Sequence, residues 1–233
     1  VECAMSSTRR IVRIAEKHNK KAHVLHITTK EEIDFLSQHK GNITFEITPQ
    51  HLTLYAPDCY DKLGTYAQMN PPLRDKSHYD RLWYGVRNNL NDTIGSDHAP
   101  HLKVNKDKVY PNSPSGMPGV QTLMPVMLNH VNNEKLTLKQ LMNFVCENPV
   151  KIFGIKNKGF IKEGYDADFT IVDMNKIIEI NNSNIESKCG WSPFDGYKFK
   201  GSPVATIIDG KIKMEKGKII GDPEGQPIVF KNK

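Results

Sequence analysis

The chain has 233 residues, of which 38% are hydrophobic and 25% are charged, a composition typical of an ordinary globular protein. The net charge is +6, but the 32 basic residues are spread along the chain among 26 acidic ones, so we expect no nucleic-acid partner. No apolar run approaches the roughly 20 residues of a membrane helix, and we expect no membrane partner.

The four cysteines, Cys3, Cys59, Cys146 and Cys189, are far apart and form no Cys-x-x-Cys pair. We therefore expect free thiols and a cytoplasmic location. The chain starts at Val1 without a methionine and soon enters a helical pattern. This start is typical of an interior piece, and we expect an upstream portion of the same protein as a partner.

Strand and helix patterns alternate in the first half of the chain. Strands are predicted over 22–27, 42–48 and 92–97. Helices are predicted over 8–19, after an N-cap at Thr28 or Thr29, and over about 75–90, with a long loop up to Pro71-Pro72. This rhythm is typical of a parallel α/β fold, and three strands are too few to close an eight-stranded barrel. We favour further strands upstream of Val1 over an open sheet.

In the second half of the chain, the sequence pattern changes from helical to mostly β at Gly154. Helical patterns fill about 119–131 and 137–153. Beyond Gly154, a strand is predicted over 168–172 and a hairpin over 206–213, in which Asp209-Gly210 is a typical two-residue turn. We therefore divide the chain into residues 1–153 and a mostly β tail, residues 154–233.

The segment 95–101, Gly-Ser-Asp-His-Ala-Pro-His, places a carboxylate and two imidazoles within five residues at the end of the third strand. Pro100 prevents the strand from continuing, so Asp97 lies at the carboxyl end of a strand, where barrel enzymes keep their chemistry. An Asp at that place can hold a divalent metal and also move a proton. Taken alone, the segment is explained equally well as a polar turn after an edge strand.

His26 ends the first predicted strand, as Asp97 ends the third. Because the carboxyl ends of parallel barrel strands open on one face, both side chains can converge there. A lone strand histidine is more often a hydrogen-bonded core residue, and the pairing with Asp97 shifts the balance modestly toward half of a metal site.

Eight short motifs occur in order along the chain: HITTKEE (26–32), ITPQHL (47–52), MNPPLR (69–74), SDHAPH (96–101), SGMPGVQT (115–122), ENP (147–149), GYDAD (164–168) and WSPF (191–194). Each motif is weak, but their order and spacing resemble the dihydroorotases, which belong to the cyclic-amidohydrolase branch of the amidohydrolase superfamily. The resemblance runs along essentially the whole chain.

This resemblance implies a (β/α)8 TIM-like barrel, whose last three strands and helices would lie in residues 1–153, and a small C-terminal β-sandwich segment in 154–233. It also implies one or two zinc ions at the barrel mouth, with His26 and Asp97 as metal ligands. Asn70 and His101 match substrate-binding positions, and the backbone around Gly119 matches the segment that contacts the pyrimidine ring.

The implied activity is the reversible interconversion of N-carbamoyl-L-aspartate and L-dihydroorotate in de novo pyrimidine biosynthesis. Hydroxide activated by the metal attacks the ring carbonyl, and Asp97, as the catalytic residue, passes the proton to the departing nitrogen. The expected small-molecule partner is this substrate. The oligomeric state stays open, with a homodimer as one candidate.

The family's His-x-His pair, its bridging Lys or Asp and its strand-five His do not occur here, so we expect the remaining zinc ligands upstream of Val1. Two alternatives stay open: another cyclic amidohydrolase, of the allantoinase or dihydropyrimidinase type, and a non-catalytic dihydroorotase-like scaffold. The position of His101, four residues after Asp97, favours dihydroorotase. For His98, support of Asp97 and satisfaction of the turn are equally open, whereas His51 is expected to be structural.

Overall fold

The computed structural model describes residues 1–231, and the chain forms two compact units. The first unit consists of Val1–Leu123 and Glu179–Tyr197, and the second of Met124–Ile178 and Lys198–Lys233. Positions 232 and 233, the end of the expected β tail, lie outside the described residues. The division expected at Gly154 concerns the complete protein and stays a prediction.

The first unit is built on a parallel sheet of three strands. These strands are hydrogen-bonded in the order β1 (Ala22–Val24), β2 (Ile43–Ile47) and β3 (Thr93–Ile94). Its helices are α1 (Glu2–Lys17), α2 (Lys30–Ser37), α3 (Asp58–Leu63), α4 (Lys76–Arg87) and α5 (Lys103–Lys106). Because α2 connects β1 to β2, and α3 and α4 connect β2 to β3, the predicted parallel α/β order is confirmed.

The central strand β2 separates an apolar face of the sheet from a polar one. Ile43, Phe45 and Ile47 are buried, whereas Thr44 and Glu46, at the alternate positions, are only half-buried. Helix α2 packs against β2 and against α4. Burial of each large apolar side chain contributes about 1.5–3 kcal/mol, so this layer fixes where the strand ends lie.

Helix α2 begins at a capped turn that also ties it to α1. The hydroxyl of Thr29 accepts a hydrogen bond from Glu32 N (3.1 Å) and donates one to the Glu32 carboxylate (2.9 Å). Thr8 of α1 donates to the same carboxylate (2.8 Å), which is buried. Of the two predicted caps, Thr29 is therefore the one that the chain uses.

The second unit contains the helical segments and strands of the C-terminal half. Its helices are α6 (Leu123–Asn132), α7 (Leu138–Met142) and α8 (Asn148–Phe153), with a π-helical turn at Asn143–Glu147. Its sheet has the order β4 (Phe169–Glu179), β5 (Lys198–Ile208), β6 (Lys211–Glu215) and β7 (Lys218–Ile219). Asp209 and Gly210 join β5 to β6 with φ angles of 52° and 74°, which confirms the predicted two-residue turn.

The structure also differs from the sequence-based expectation in detail. The strands predicted over 22–27 and 92–97 are shorter, because β1 ends at Val24 and β3 at Ile94, and the chain reaches a left-handed conformation soon afterwards, at His26 and Asp97. The loop expected before Pro71-Pro72 contains α3 and a 3₁₀ turn at Gly64–Ala67. No helix within the described part of the chain has the length and apolar character that a membrane span requires.

Candidate active site

His26 and Asp97 follow the carboxyl ends of β1 and β3 and share an uncommon backbone conformation. Their φ angles are 40° and 41°, in the left-handed region that residues with a Cβ seldom adopt. Directly after His26, Ile27 N donates to Glu46 O (2.8 Å). The positive φ thus occurs in the loop after each strand, at the residue that carries the candidate functional side chain, and both residues are half-buried.

The carboxyl group of Asp97 interacts electrostatically with His26 and Glu46. Burial, the largest effect, raises the pKa of Asp97, while the nearby His26 lowers that pKa and the negative charge of Glu46 raises it. A carboxyl group whose pKa is raised accepts a proton more readily, which suits general acid–base work. The structure thus brings His26 and Asp97 near one another, and their roles as ligands stay a prediction.

The Nδ1 atom of His26 is buried and has no hydrogen-bond partner within the described residues. A buried polar atom without a partner is costly unless a ligand satisfies it. An imidazole nitrogen and a carboxylate oxygen are both zinc donors, so the pair His26 and Asp97 fits this metal chemically. Within residues 1–231, no group of three or more His, Cys, Asp or Glu side chains could hold a metal ion. The pair therefore supplies only part of a donor set.

A layer of polar side chains covers the face of the sheet opposite Phe45. His23 Nδ1 is 2.7 Å from the Thr44 hydroxyl, and His23 Nε2 is 3.4 Å from both Glu46 Oε2 and the Thr93 hydroxyl. Each of the three strands contributes to this layer. It holds the Glu46 carboxylate within electrostatic reach of Asp97.

Gly119 lies where two loops approach each other closely. Gln50 Nε2 donates to Ser96 O (2.9 Å), and a Cβ at residue 119 would lie 2.3 Å from that same oxygen. Gly119 N donates to His98 Nδ1 (3.1 Å), and Gly119 O accepts from Leu123 N (2.9 Å). Since both backbone polar groups of Gly119 are engaged, neighbouring atoms would have to bind a substrate. The use of His98 Nδ1 favours the interpretation that this residue satisfies the turn.

His51 is a buried residue that is hydrogen-bonded to the loop that carries Asn70. Its Nε2–H donates to Pro71 O (3.1 Å), and its Nδ1 accepts from the Thr48 hydroxyl (2.7 Å). Burial, the largest effect, lowers the pKa of His51 to about 4, so the imidazole is neutral at pH 7. Both ring nitrogens are occupied, which confirms the expected structural role. Asn70 itself is exposed and precedes a cis peptide bond to Pro71.

His101 lies in the loop that follows β3 and is held at two points. Its Nε2–H donates to Ser115 O (3.0 Å), and its carbonyl accepts from Trp191 Nε1 (2.7 Å). With the Nε2 proton engaged in this way, Nδ1 is the ring atom left to accept a hydrogen bond. His101 thus has a fixed orientation and one acceptor to offer.

Sequence reasoning did not single out Glu46 or Lys106, and it considered Gln50 a tolerant position of its motif, although each contributes to the geometry around the predicted residues. The alternation of β2 is a signal for Glu46, because it places this carboxylate on the face opposite Phe45. No pattern distinguishes the fully buried Lys106 from an exposed lysine in a polar loop. The contacts of Gln50 depend on a residue 46 positions away, Ser96, which only the folded chain reveals.

Comparison with known proteins places this geometry in a family. Residues 4–213 match the model of the amidohydrolase family. The dihydroorotase of Pyrococcus furiosus is 40% identical over 225 residues, which cover 96% of this chain and 52% of that protein. The dihydroorotase of Methanosphaera stadtmanae is 38% identical, with 87% of this chain and 47% of that protein covered. The chain thus spans about half the length of the curated relatives that it matches.

Solved structures show the same fold. The L-hydantoinase (dihydropyrimidinase) of Arthrobacter aurescens superposes with a TM-score of 0.90 at 32% identity, covering 93% of this chain and 50% of that one. A dihydropyrimidinase from Brevibacillus agri superposes with a TM-score of 0.86 at 23% identity, covering 93% of this chain and 49% of that one, and shows the likeness of fold alone.

Proposed function

The chain belongs to the amidohydrolase family, and from this premise we propose that it carries part of the active site of a dihydroorotase. The observation that supports the proposal best is the pair His26 and Asp97 at the ends of two parallel strands. The imidazole has a buried nitrogen without a partner within the described residues, and the carboxyl group has a raised pKa. Similarity to dihydroorotases over most of the chain supports the choice of substrate.

We propose that β1, β2 and β3 are the last three strands of a (β/α)8 barrel that an upstream portion of the same protein completes. The sheet supports this proposal because it is parallel and because, among the described residues, β1 and β3 are its edge strands and each is hydrogen-bonded to β2. The sheet β4–β7 would then contribute to a small β-sandwich. The substrate would enter at the carboxyl ends of the strands, where His26 and Asp97 lie.

The proposed cofactor is zinc, held here by His26 and Asp97 and completed by ligands from the upstream portion. When bound, zinc would supply Lewis-acid activation of water and of the ring carbonyl. In the hydrolytic direction, the carboxylate of Asp97 takes a proton from the attacking water. The same carboxyl group then delivers that proton to the ring nitrogen as the bond between this nitrogen and the attacked carbonyl carbon breaks, so that the nitrogen becomes the terminal NH2 of the carbamoyl group.

Asn70 and His101 orient the substrate in this proposal. The exposed amide of Asn70 offers both a donor and an acceptor, and Nδ1 of His101 offers an acceptor to a ring N–H. Loop atoms beside Gly119 would contact the ring, because the N–H and carbonyl of Gly119 are already engaged. We also propose a cytoplasmic location, which the free cysteines of the chain support.

The proposal is tested on the full-length protein, with its upstream portion, by measuring zinc content and the rates of L-dihydroorotate hydrolysis and N-carbamoyl-L-aspartate cyclisation. Asp97→Asn should lower kcat by about 10²-fold or more, since general acid–base catalysis contributes about that much. Asp61→Asn, which removes an exposed carboxylate in α3, is the matched control and should leave kcat unchanged. Near-normal turnover in Asp97→Asn would contradict the proton-transfer role.

A second candidate activity is hydrolysis of another cyclic amide, such as hydantoin or dihydrouracil, and the fold likeness to hydantoinases favours testing it. Both compounds belong in the same assay. Zinc together with turnover of hydantoin alone would replace dihydroorotate as the substrate. Absence of both zinc and turnover in the full-length protein would favour a non-catalytic scaffold.

A further inference from the structure

Lys106 is a fully buried lysine in the first unit, with no exposed surface, at the end of the short helix α5. Its ammonium group donates to Pro114 O (2.8 Å) and to Gln68 O (3.1 Å), and it lies 5.6 Å from the centre of the Trp191 ring. Desolvation lowers its pKa to about 8. A buried ammonium is expensive, and these contacts compensate for part of the lost hydration.

The backbone of Lys106 is hydrogen-bonded as well as its side chain. Its carbonyl accepts hydrogen bonds from the Thr65 hydroxyl (2.7 Å) and the Ser113 hydroxyl (3.1 Å). Lys106 therefore contacts the segments 64–68 and 113–114 through both its ammonium group and its backbone carbonyl. No carboxylate is needed to hold the charge, since carbonyl dipoles and the indole face surround it.

Both segments lead directly to candidate substrate residues. Gln68 lies two positions before Asn70, and its carbonyl also accepts from Gly116 N (2.9 Å). Pro114 precedes Ser115, whose carbonyl accepts from Nε2 of His101. The side-chain amide of Gln68 closes the link by donating to the Ser115 hydroxyl (3.2 Å).

We propose that Lys106 is a positioning residue that sets the distance between Asn70 and His101, and thereby the fit of the site to its cyclic amide substrate. This inference rests on the proposed function, in which Asn70 and His101 bind the substrate. It adds that one buried ammonium group, that of Lys106, holds these two residues in place. Lys106 touches neither the reacting atoms nor His26 and Asp97, so its removal should weaken binding more than turnover.

The test compares Lys106→Met with Lys103→Met in the full-length protein. Lys103 lies on the same helix but is exposed. The control therefore removes an equal charge without disturbing the segments 64–68 and 113–114. Lys106→Met should raise KM for L-dihydroorotate about tenfold with kcat changed less than about threefold, whereas Lys103→Met should change neither. An unchanged KM, or a loss confined to kcat, overturns the proposal.

Amide hydrogen exchange of the peptide around Gly116 provides a readout that does not depend on catalysis. It should become faster in Lys106→Met and stay unchanged in Lys103→Met, because the Gln68 carbonyl that receives the Gly116 N–H loses its second anchor. If the wild-type protein turns over no dihydroorotate, the proposed function fails, and unaltered exchange in Lys106→Met then overturns the positioning role separately. If Lys106→Met does not fold, Lys106→Gln, which keeps a donor, is measured against the same criteria.

Discussion

The carboxylate of Glu46 lies directly against Gly95, so that a Cβ at residue 95 would come within 2.5 Å of Glu46 Oε2. Glu46 belongs to β2, and Gly95 is the first residue after β3. Gly95 N also donates to Ile47 O (3.1 Å), which holds the two backbones at a fixed separation. The absence of a side chain at residue 95 is therefore what admits a carboxylate next to the loop that carries Asp97.

Gly95→Ala should destabilise the protein by about 1 kcal/mol, the low end of overpacking costs, because the added methyl group meets the flexible end of Glu46, which can move aside at the expense of its contact with His23. The measurement is urea unfolding at pH 7. The double variant Gly95→Ala with Glu46→Ala should lose less stability than the sum of the two single variants, since the displaced group is then absent. Strict additivity would show that the two residues do not constrain each other.

Gly119→Ala should be more damaging than an alanine at an open glycine. Its Cβ would meet Ser96 O at 2.3 Å and Gln50 Nε2 at 2.6 Å, and a backbone carbonyl next to Asp97 cannot rotate away freely. We expect a loss of about 1–3 kcal/mol in the free energy of unfolding. Gly225→Ala, where an added Cβ meets nothing within 4 Å, is the control and should be neutral. Equal stability of both variants would contradict the close approach.

His51→Phe should cost about 1–3 kcal/mol of stability, because it keeps a ring of similar shape but leaves Pro71 O and the Thr48 hydroxyl without their partner. If Asn70 binds substrate as proposed, KM should rise as well, since Pro71 adjoins Asn70. Thermal unfolding and steady-state kinetics of the full-length protein measure the two effects. His18→Phe, at an exposed histidine, should change neither quantity.

Stability should fall on acidification because of His130, a buried residue of α6. Burial, the largest effect, lowers its pKa from 6.5 to about 4, with a smaller contribution from Lys135. Between these two values the unfolded chain binds a proton that the native chain does not, so stability rises with pH there and is lost as the pH falls. The contribution is at most about 3 kcal/mol.

Urea unfolding of the wild type and of His130→Gln at pH 7, 6, 5 and 4 isolates this contribution. The free energy of unfolding of the wild type minus that of His130→Gln should decrease as the pH falls from 6.5 toward 4. A difference that stays constant over this range would show that His130 titrates alike in the folded and unfolded chains.

Lys106 should make the stability of the protein depend on pH at the alkaline end of the range. Its native pKa is lowered to about 8 from 10.5, so between these values the native chain has released a proton that the unfolded chain still holds. The free energy of unfolding of the wild type relative to Lys106→Met should therefore rise as the pH increases above 8. Denaturant unfolding of both proteins at pH 7, 8 and 9 measures the difference, and a falling difference would contradict the burial of the charge.

The amino-acid sequence by itself determined the alternation of the three parallel strands with α2 and α4, the cap at Thr28 or Thr29 and the turn at Asp209-Gly210. These features depend on local rules: apolar spacing, hydroxyl capping and the positive φ that an Asp-Gly turn accepts. The same local rules explain why Asp97 was predicted at a strand end, since Pro100 prevents the strand from continuing.

Only the tertiary structure decided which polar groups have hydrogen-bond partners and which have none among the described residues. Lys106 and Lys103 are alike in the sequence, yet one is buried among carbonyls and the other is exposed. His98 and His26 are both loop imidazoles, yet Nδ1 of His98 binds a backbone N–H and Nδ1 of His26 has no partner among the described residues. The physical reason is that desolvation and hydrogen-bond partners come from segments distant in the chain, which local patterns do not specify.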